Sequence, residues 1–116
     1  MSVRARLSPA DKVFGALSSP TRRAVLDLLL DGPRTASDIA SHFQMSRPSV
    51  SEHLRALREV QLIVDQKQGR FRLYSINPAP LLELRDWLSP YERFWRGRLS
   101  AIGDILDQLP PEGPIT

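Results

Sequence analysis

Residues 36–60, ASDIASHFQMSRPSVSEHLRALREV, read as two short helices around a tight turn. In the first, 36–43, Ile39, Ala40 and Phe43 share one face. In the second, 47–60, Val50, Leu54 and Leu57 fall at the i, i+4, i+7 spacing of a buried stripe. Ser46 supplies an N-cap oxygen, and Pro48 sits in the first turn, where a missing N–H costs nothing. The period then changes. Leu62 to Lys67 and Arg70 to Ile76 are β-prone runs separated by Gln68-Gly69, a two-residue hairpin loop with glycine available for positive φ.

Further out, the chain is again helical. Residues 9–17 and 20–31 precede the pair, the second with Ala24, Val25, Leu28 and Leu29 inward. Residues 78–88 and 90–109 follow the hairpin. Ser8-Pro9, Ser19-Pro20, Asn77-Pro78 and Ser89-Pro90 each place a capping side chain before proline, the signature of a helix start. Glu92 stands at capping-box spacing from Ser89, and Thr35 with Asp38 is a weaker version. Gly32-Pro33 reads as a helix stop. None of the ten prolines has to lie inside a helix. The expected fold is mainly α with a small β-hairpin: a winged helix-turn-helix whose second helix can lie in the major groove of DNA. Its core spans about 20–76, flanked by helices at 9–17 and 90–109, with a frayed tail over 110–116.

At 116 residues the chain is expected to form one domain, burying roughly two-thirds of its unfolded surface. It has no cysteine, which removes disulfides, thiolate metal sites and thiol catalysis and fits a reducing cytoplasm. No run approaches the roughly 18 apolar residues of a membrane span, and the opening residues lack an apolar signal region. A nucleophile elbow, a glycine-rich phosphate loop and an HExxH motif are all missing, so no enzyme is expected. The basic excess is almost all arginine, with only Lys12 and Lys67 as lysines. Residues 41–75 carry six basic and three acidic side chains; residues 76–116 carry four and six. An anionic partner is therefore expected for the first two-thirds only.

Projecting 47–60 at about 100° per residue places Pro48, Glu52, Arg55 and Glu59 opposite the core, with Ser49 and Ser51 on the shoulders. Arg47 stands at the N-terminus, where it and the free N–H groups can meet phosphate. The hairpin adds Lys67, Arg70 and Arg72. Double-stranded DNA is the partner these residues suit, Arg47, Pro48, Ser49, Ser51, Glu52 and Arg55 from the helix and the three cations from the hairpin. A protein–protein adaptor that keeps the fold without binding DNA is the alternative.

The stretch Ala16 to Arg23 (ALSSPTRR), Ile39-Ala40, Ser46 to Glu59 and the wing Gly69 to Ile76 (GRFRLYSI) resemble the ArsR/SmtB family, in order and in spacing. The resemblance is close over residues 14 to about 78 and looser beyond. It implies a homodimeric bacterial transcriptional repressor whose first and last helices form the dimer interface. It also implies that Arg47, Pro48, Ser51 and Glu52 read or clamp operator DNA.

Two departures matter. Where the family often has a second histidine, this chain has Glu52. A carboxylate facing phosphates needs a reason, either a cytosine N4 donor or a salt bridge to Arg55 or Arg47. His53, about 60° off the core axis, is expected to be partly buried and hydrogen-bonded, with a phosphate contact as the alternative. The family's metal-sensing cysteines and last-helix histidines are absent. Asp38 and His42 are left as a lone i, i+4 pair, so no metal and no cofactor are expected.

On the last helix Tyr91, Phe94, Trp95, Leu99, Ile102, Ile105, Leu106 and Leu109 form a stripe about 140° wide with Arg98 in its middle. A second subunit is expected to cover it. Arg98 would then need a carboxylate or carbonyl across the seam, or a small anionic effector bound there, unless it snorkels to water.

Overall fold

The computed structural model describes residues 8–109, so the expected frayed tail lies outside the described residues. The order is α1 (Pro9–Ala16), α2 (Pro20–Leu29), β1 (Arg34–Thr35), α3 (Ala36–Phe43), α4 (Arg47–Glu59), β2 (Ile63–Gln68), β3 (Phe71–Ile76) and α5 (Ala79–Gln108). Contacts group the residues into two units, one ending at Leu84 and one beginning at Arg85.

In the first unit, the capping serines act as their spacing predicts. Ser8, Ser19 and Ser46 each accept a hydrogen bond from the backbone N–H three residues on. Ser8 and Asp11 form a complete capping box. This holds the Asp11 carboxyl below its ordinary value, chiefly through the Ser8 backbone N–H. Thr35 accepts from the Asp38 N–H, but the Asp38 carboxylate turns to Arg34 instead of closing a box.

The core is one cluster. Val13 and Ala16 of α1, Val25 and Leu29 of α2, Ile39 and Ala40 of α3, Val50, Leu54 and Leu57 of α4, and Leu62 and Ile63 are all buried. The inward residues expected on α4 are all there; Leu28 and Phe43 pack against the cluster from its edge. Leu81 and Leu84, at the start of α5, do the same.

The sheet has three antiparallel strands in the order β1-β3-β2, one more than the expected hairpin. Arg34 and Thr35 pair with Tyr74 and Leu73. The hairpin loop also shifts by one residue. Gln68 pairs with Phe71, so the loop is Gly69-Arg70 rather than Gln68-Gly69, with Gly69 at φ +59°. The shift puts Arg70 at the tip.

α4 ends in a Schellman motif, with the N–H of Gln61 on the Arg58 carbonyl at 2.9 Å and that of Leu62 on the Leu57 carbonyl at 3.0 Å. Gln61 takes φ +62° to make it, and its own carbonyl accepts from Asn77 Nδ2 at 2.9 Å. Asn77 also accepts from the Ala79 N–H, so the Asn-Pro signal does mark the start of α5.

The second proline signal near the C-terminus is corrected. Residues 79–108 form a single helix with Pro90 inside it, not two helices broken at Ser89-Pro90. The expected Ser89/Glu92 cap is replaced by a bond from Arg93 to the Ser89 hydroxyl at 3.3 Å. Helices tolerate an interior proline when enough turns on either side hold the backbone, although Pro90 cannot donate to the carbonyl four residues back.

In the second unit, taken by itself, the apolar stripe is open to solvent: Tyr91, Phe94, Trp95, Leu99, Ile102 and Leu106 are each at least half exposed. Trp87 and Tyr91 lie ring to ring with centroids 4.8 Å apart. Arg98 is not buried in this chain; its guanidinium stacks over the Phe94 ring at 4.9 Å.

Candidate nucleic-acid interface

The site is built where α3 turns into α4. The turn is Gln44-Met45-Ser46, and Gln44 adopts the left-handed conformation, φ 53° and ψ 35°, usually left to glycine. Met45 N–H returns to the Ala40 carbonyl, and Ser46 starts the next helix. With Val50, Leu54 and Leu57 buried, the opposite face of α4 must look outward. Arg47, Pro48, Ser49, Ser51, Glu52 and Arg55 are all exposed.

These residues do not act alone. The Arg47 guanidinium donates to the Ser37 hydroxyl, tying the first residue of α4 to α3. Arg55 is gripped from both sides, by Glu52 at 2.7 Å and Glu59 at 2.6 Å. Of the two readings open for Glu52, the free protein therefore shows the salt bridge, and to Arg55 rather than Arg47. The hydrogen bond from Arg55 holds the Glu52 carboxyl below its ordinary value. His53 is half-buried, as expected, and its Nδ1 accepts from Arg22 Nε of α2 at 3.4 Å.

On the wing, Lys67 and Arg72 are register partners, and Arg70 stands at the loop. Arg72 pairs with Asp65 of β2, whose carboxylate also lies 3.6 Å from Arg58. The Arg72 hydrogen bond is the main reason that the Asp65 carboxyl falls below its ordinary value. Arg58 and Asp65 were not singled out from sequence; a lone aspartate within the β-prone run 62–67 was the signal available. Ser37 and Tyr74 were missed as well. With Thr35, Ala36, Phe71 and the arginines Arg47, Arg70 and Arg72, they line an open concavity of about 390 Å³ where α3, α4 and the wing converge.

Both members of the lone pair on α3 have protein partners. Asp38 accepts from Arg34 at 2.7 Å, and His42 Nδ1 lies 2.8 Å from the Asp38 carbonyl oxygen.

Residues 19–64 match the model of a bacterial regulatory protein family, the arsR family. The chain is 46% identical over 78 residues to the transcriptional repressor SdpR of Bacillus subtilis, covering 67% of this chain and 87% of that one. The chain belongs to the ArsR family. The HTH-type transcriptional regulator Rv2034 of Mycobacterium tuberculosis is 35% identical over 97 residues, 84% of this chain and 88% of its own. Among solved structures, an ArsR-like transcriptional regulator from a Rhodococcus species superposes with TM-score 0.66 at 32% identity, covering 87% of this chain and 95% of that one. The homodimeric winged helix-turn-helix DNA-binding domain of a Mycobacterium bovis protein has the same fold, with TM-score 0.62 at 24% identity over 80% of this chain and 91% of that one. This ArsR-family chain is thus a transcriptional regulator with a winged helix-turn-helix DNA-binding domain, and not an enzyme. Among its described residues no helix is long and apolar enough to cross a membrane.

Proposed function

We propose that this chain is a homodimeric repressor that binds an inverted-repeat duplex in the cytoplasm, without a metal. Residues 20–76 form its DNA-binding core, and the helices at either end its dimer interface. One observation carries the DNA contact. Arg47 of α4 and Arg70 and Arg72 of the wing line the same concavity although 23 residues and more separate them in sequence. A phosphate backbone is the polyanion that such a row of guanidiniums suits, while α4 supplies the base-facing side chains. The exposed stripe on α5 supports self-association, and the M. bovis relative is itself homodimeric. A two-fold protein reads a two-fold site.

With three phosphate contacts per subunit, affinity for the operator falls roughly 10³-fold between 50 and 200 mM salt. Binding isotherms on the DNA upstream of the gene, at both salt concentrations, test this. An isotherm indifferent to salt, or saturation with one subunit per duplex, overturns it.

A further inference from the structure

The outward line of α4 has an unexpected sign. Pro48, Glu52, Arg55 and Glu59 lie within about 60° of one another around the helix axis. Their charges are two carboxylates and one guanidinium, a net −1 along the line, with Glu59 at its C-terminal end and Arg22 of α2 near enough to Glu52 to act on its carboxyl. Arg47 at the helix start lines one concavity with Arg70 and Arg72 of the wing, and the wing also carries Lys67. The three charged side chains of the line are more than half exposed. Ion pairs in that setting contribute little to stability, so structural support does not explain them.

Against a duplex the arrangement is selective. Carboxylates are repelled by phosphates and by the acceptor atoms that dominate the major-groove floor. The groove's donors are the amino groups of cytosine N4 and adenine N6. Glutamate suits the first, and arginine suits the O6 and N7 acceptors of guanine. A Glu52–Arg55 pair already held at 2.7 Å carries one acceptor and one donor side by side, the complement of a C·G base pair. Glu59 accepts from the other terminal nitrogen of Arg55, so a phosphate would have to compete with it for the guanidinium.

We infer that the Glu52–Arg55–Glu59 cluster determines specificity: it selects a C·G pair in each half-site and rejects DNA that offers none. This rests on the reading of α4 as the groove-facing helix. Ordinary DNA meets the Glu52 and Glu59 carboxylates and gains only the peripheral arginine contacts. A C·G pair lets Glu52 accept from cytosine while Arg55 donates to guanine.

Selection of bound duplexes from a random pool, with the full chain and its Glu52→Gln and Glu59→Gln variants, tests this. The wild-type consensus should contain a fixed C·G pair in each half-site. Glu52→Gln should lose that preference or move it to A·T, since glutamine suits adenine. Removing either carboxylate should tighten binding to random duplex about tenfold. Thermal melts confirm that both exposed-site variants fold. If Glu52→Gln selects the wild-type consensus with an unchanged ratio of operator to random-duplex affinity, the inference is wrong. A wild-type protein that selects no consensus overturns the DNA reading itself, and this inference with it.

Discussion

The Asp65 carboxylate accepts a hydrogen bond from Arg72 across the hairpin and lies 3.6 Å from Arg58 of α4. One side chain thereby links the wing to α4. Replacing it by asparagine should cost about 1 kcal/mol at neutral pH. Because folding lowers the Asp65 pKa, its contribution is fully present above the ordinary aspartate value of 3.8. It disappears as pH falls through the lowered value of the folded state. Urea midpoints of wild type and Asp65→Asn should therefore differ at pH 7 and converge in acid.

Gln44 and Gln61 hold positive φ without being glycine, at 53° and 62°. Gln44→Gly relieves the clash of Cβ with its own backbone and should stabilise the protein by about 1 kcal/mol. Gln44→Val, β-branched at the same site, should destabilise it by more. Thermal melts of the two variants should move in opposite directions.

Pro90 lies in the middle of α5. Pro90→Ala restores an N–H that can reach the carbonyl of Asp86 and removes a helix-interior penalty of about 3 kcal/mol. Helical content and melting temperature should both rise. A fall in helicity would mean that the chain does break at Ser89-Pro90.

Ile102 stands near the centre of the α5 stripe and is 51% exposed. Ile102→Glu should leave the core cluster intact and abolish self-association, read by sedimentation at micromolar concentration. Arg98→Ala should weaken the dimer, and the operator complex through it, because a guanidinium in a covered seam requires a partner. If an anionic effector is that partner, Arg98→Ala should also abolish the effector's influence on DNA binding.

Operator affinity measured with EDTA and then with excess zinc or nickel should agree. Arg34 already occupies the Asp38 carboxylate, and His42 faces the Asp38 backbone carbonyl. A tenfold change abolished by His42→Ala would show that the pair is recruited after all.

The helices and the core face of α4 could be read from sequence because periodic leucines and valines, and serine before proline, report local preferences that packing then ratifies. The parts that escaped are those fixed from outside. Arg34-Thr35 is too short to alternate and becomes a strand only because Leu73 and Tyr74 offer it an edge. Gln44 carries no glycine to announce its conformation. Ser89-Pro90 has the same lettering as Ser8-Pro9, but the turns on both sides decide that it lies within a helix. At the site, residue types indicated which groups face outward. Their pairing, Arg55 with two glutamates and Arg72 with Asp65, depends on side-chain reach in three dimensions.

Thr35 has two tasks: its backbone pairs with Leu73 in the sheet, while its hydroxyl caps α3. No slack chain separates the wing's sheet from the helix-turn-helix at that point. The two parts that would grip a duplex are thus joined through a single residue. Docking on a duplex held by both would have fewer internal motions to freeze at that joint, and less binding energy would go into aligning the protein with itself.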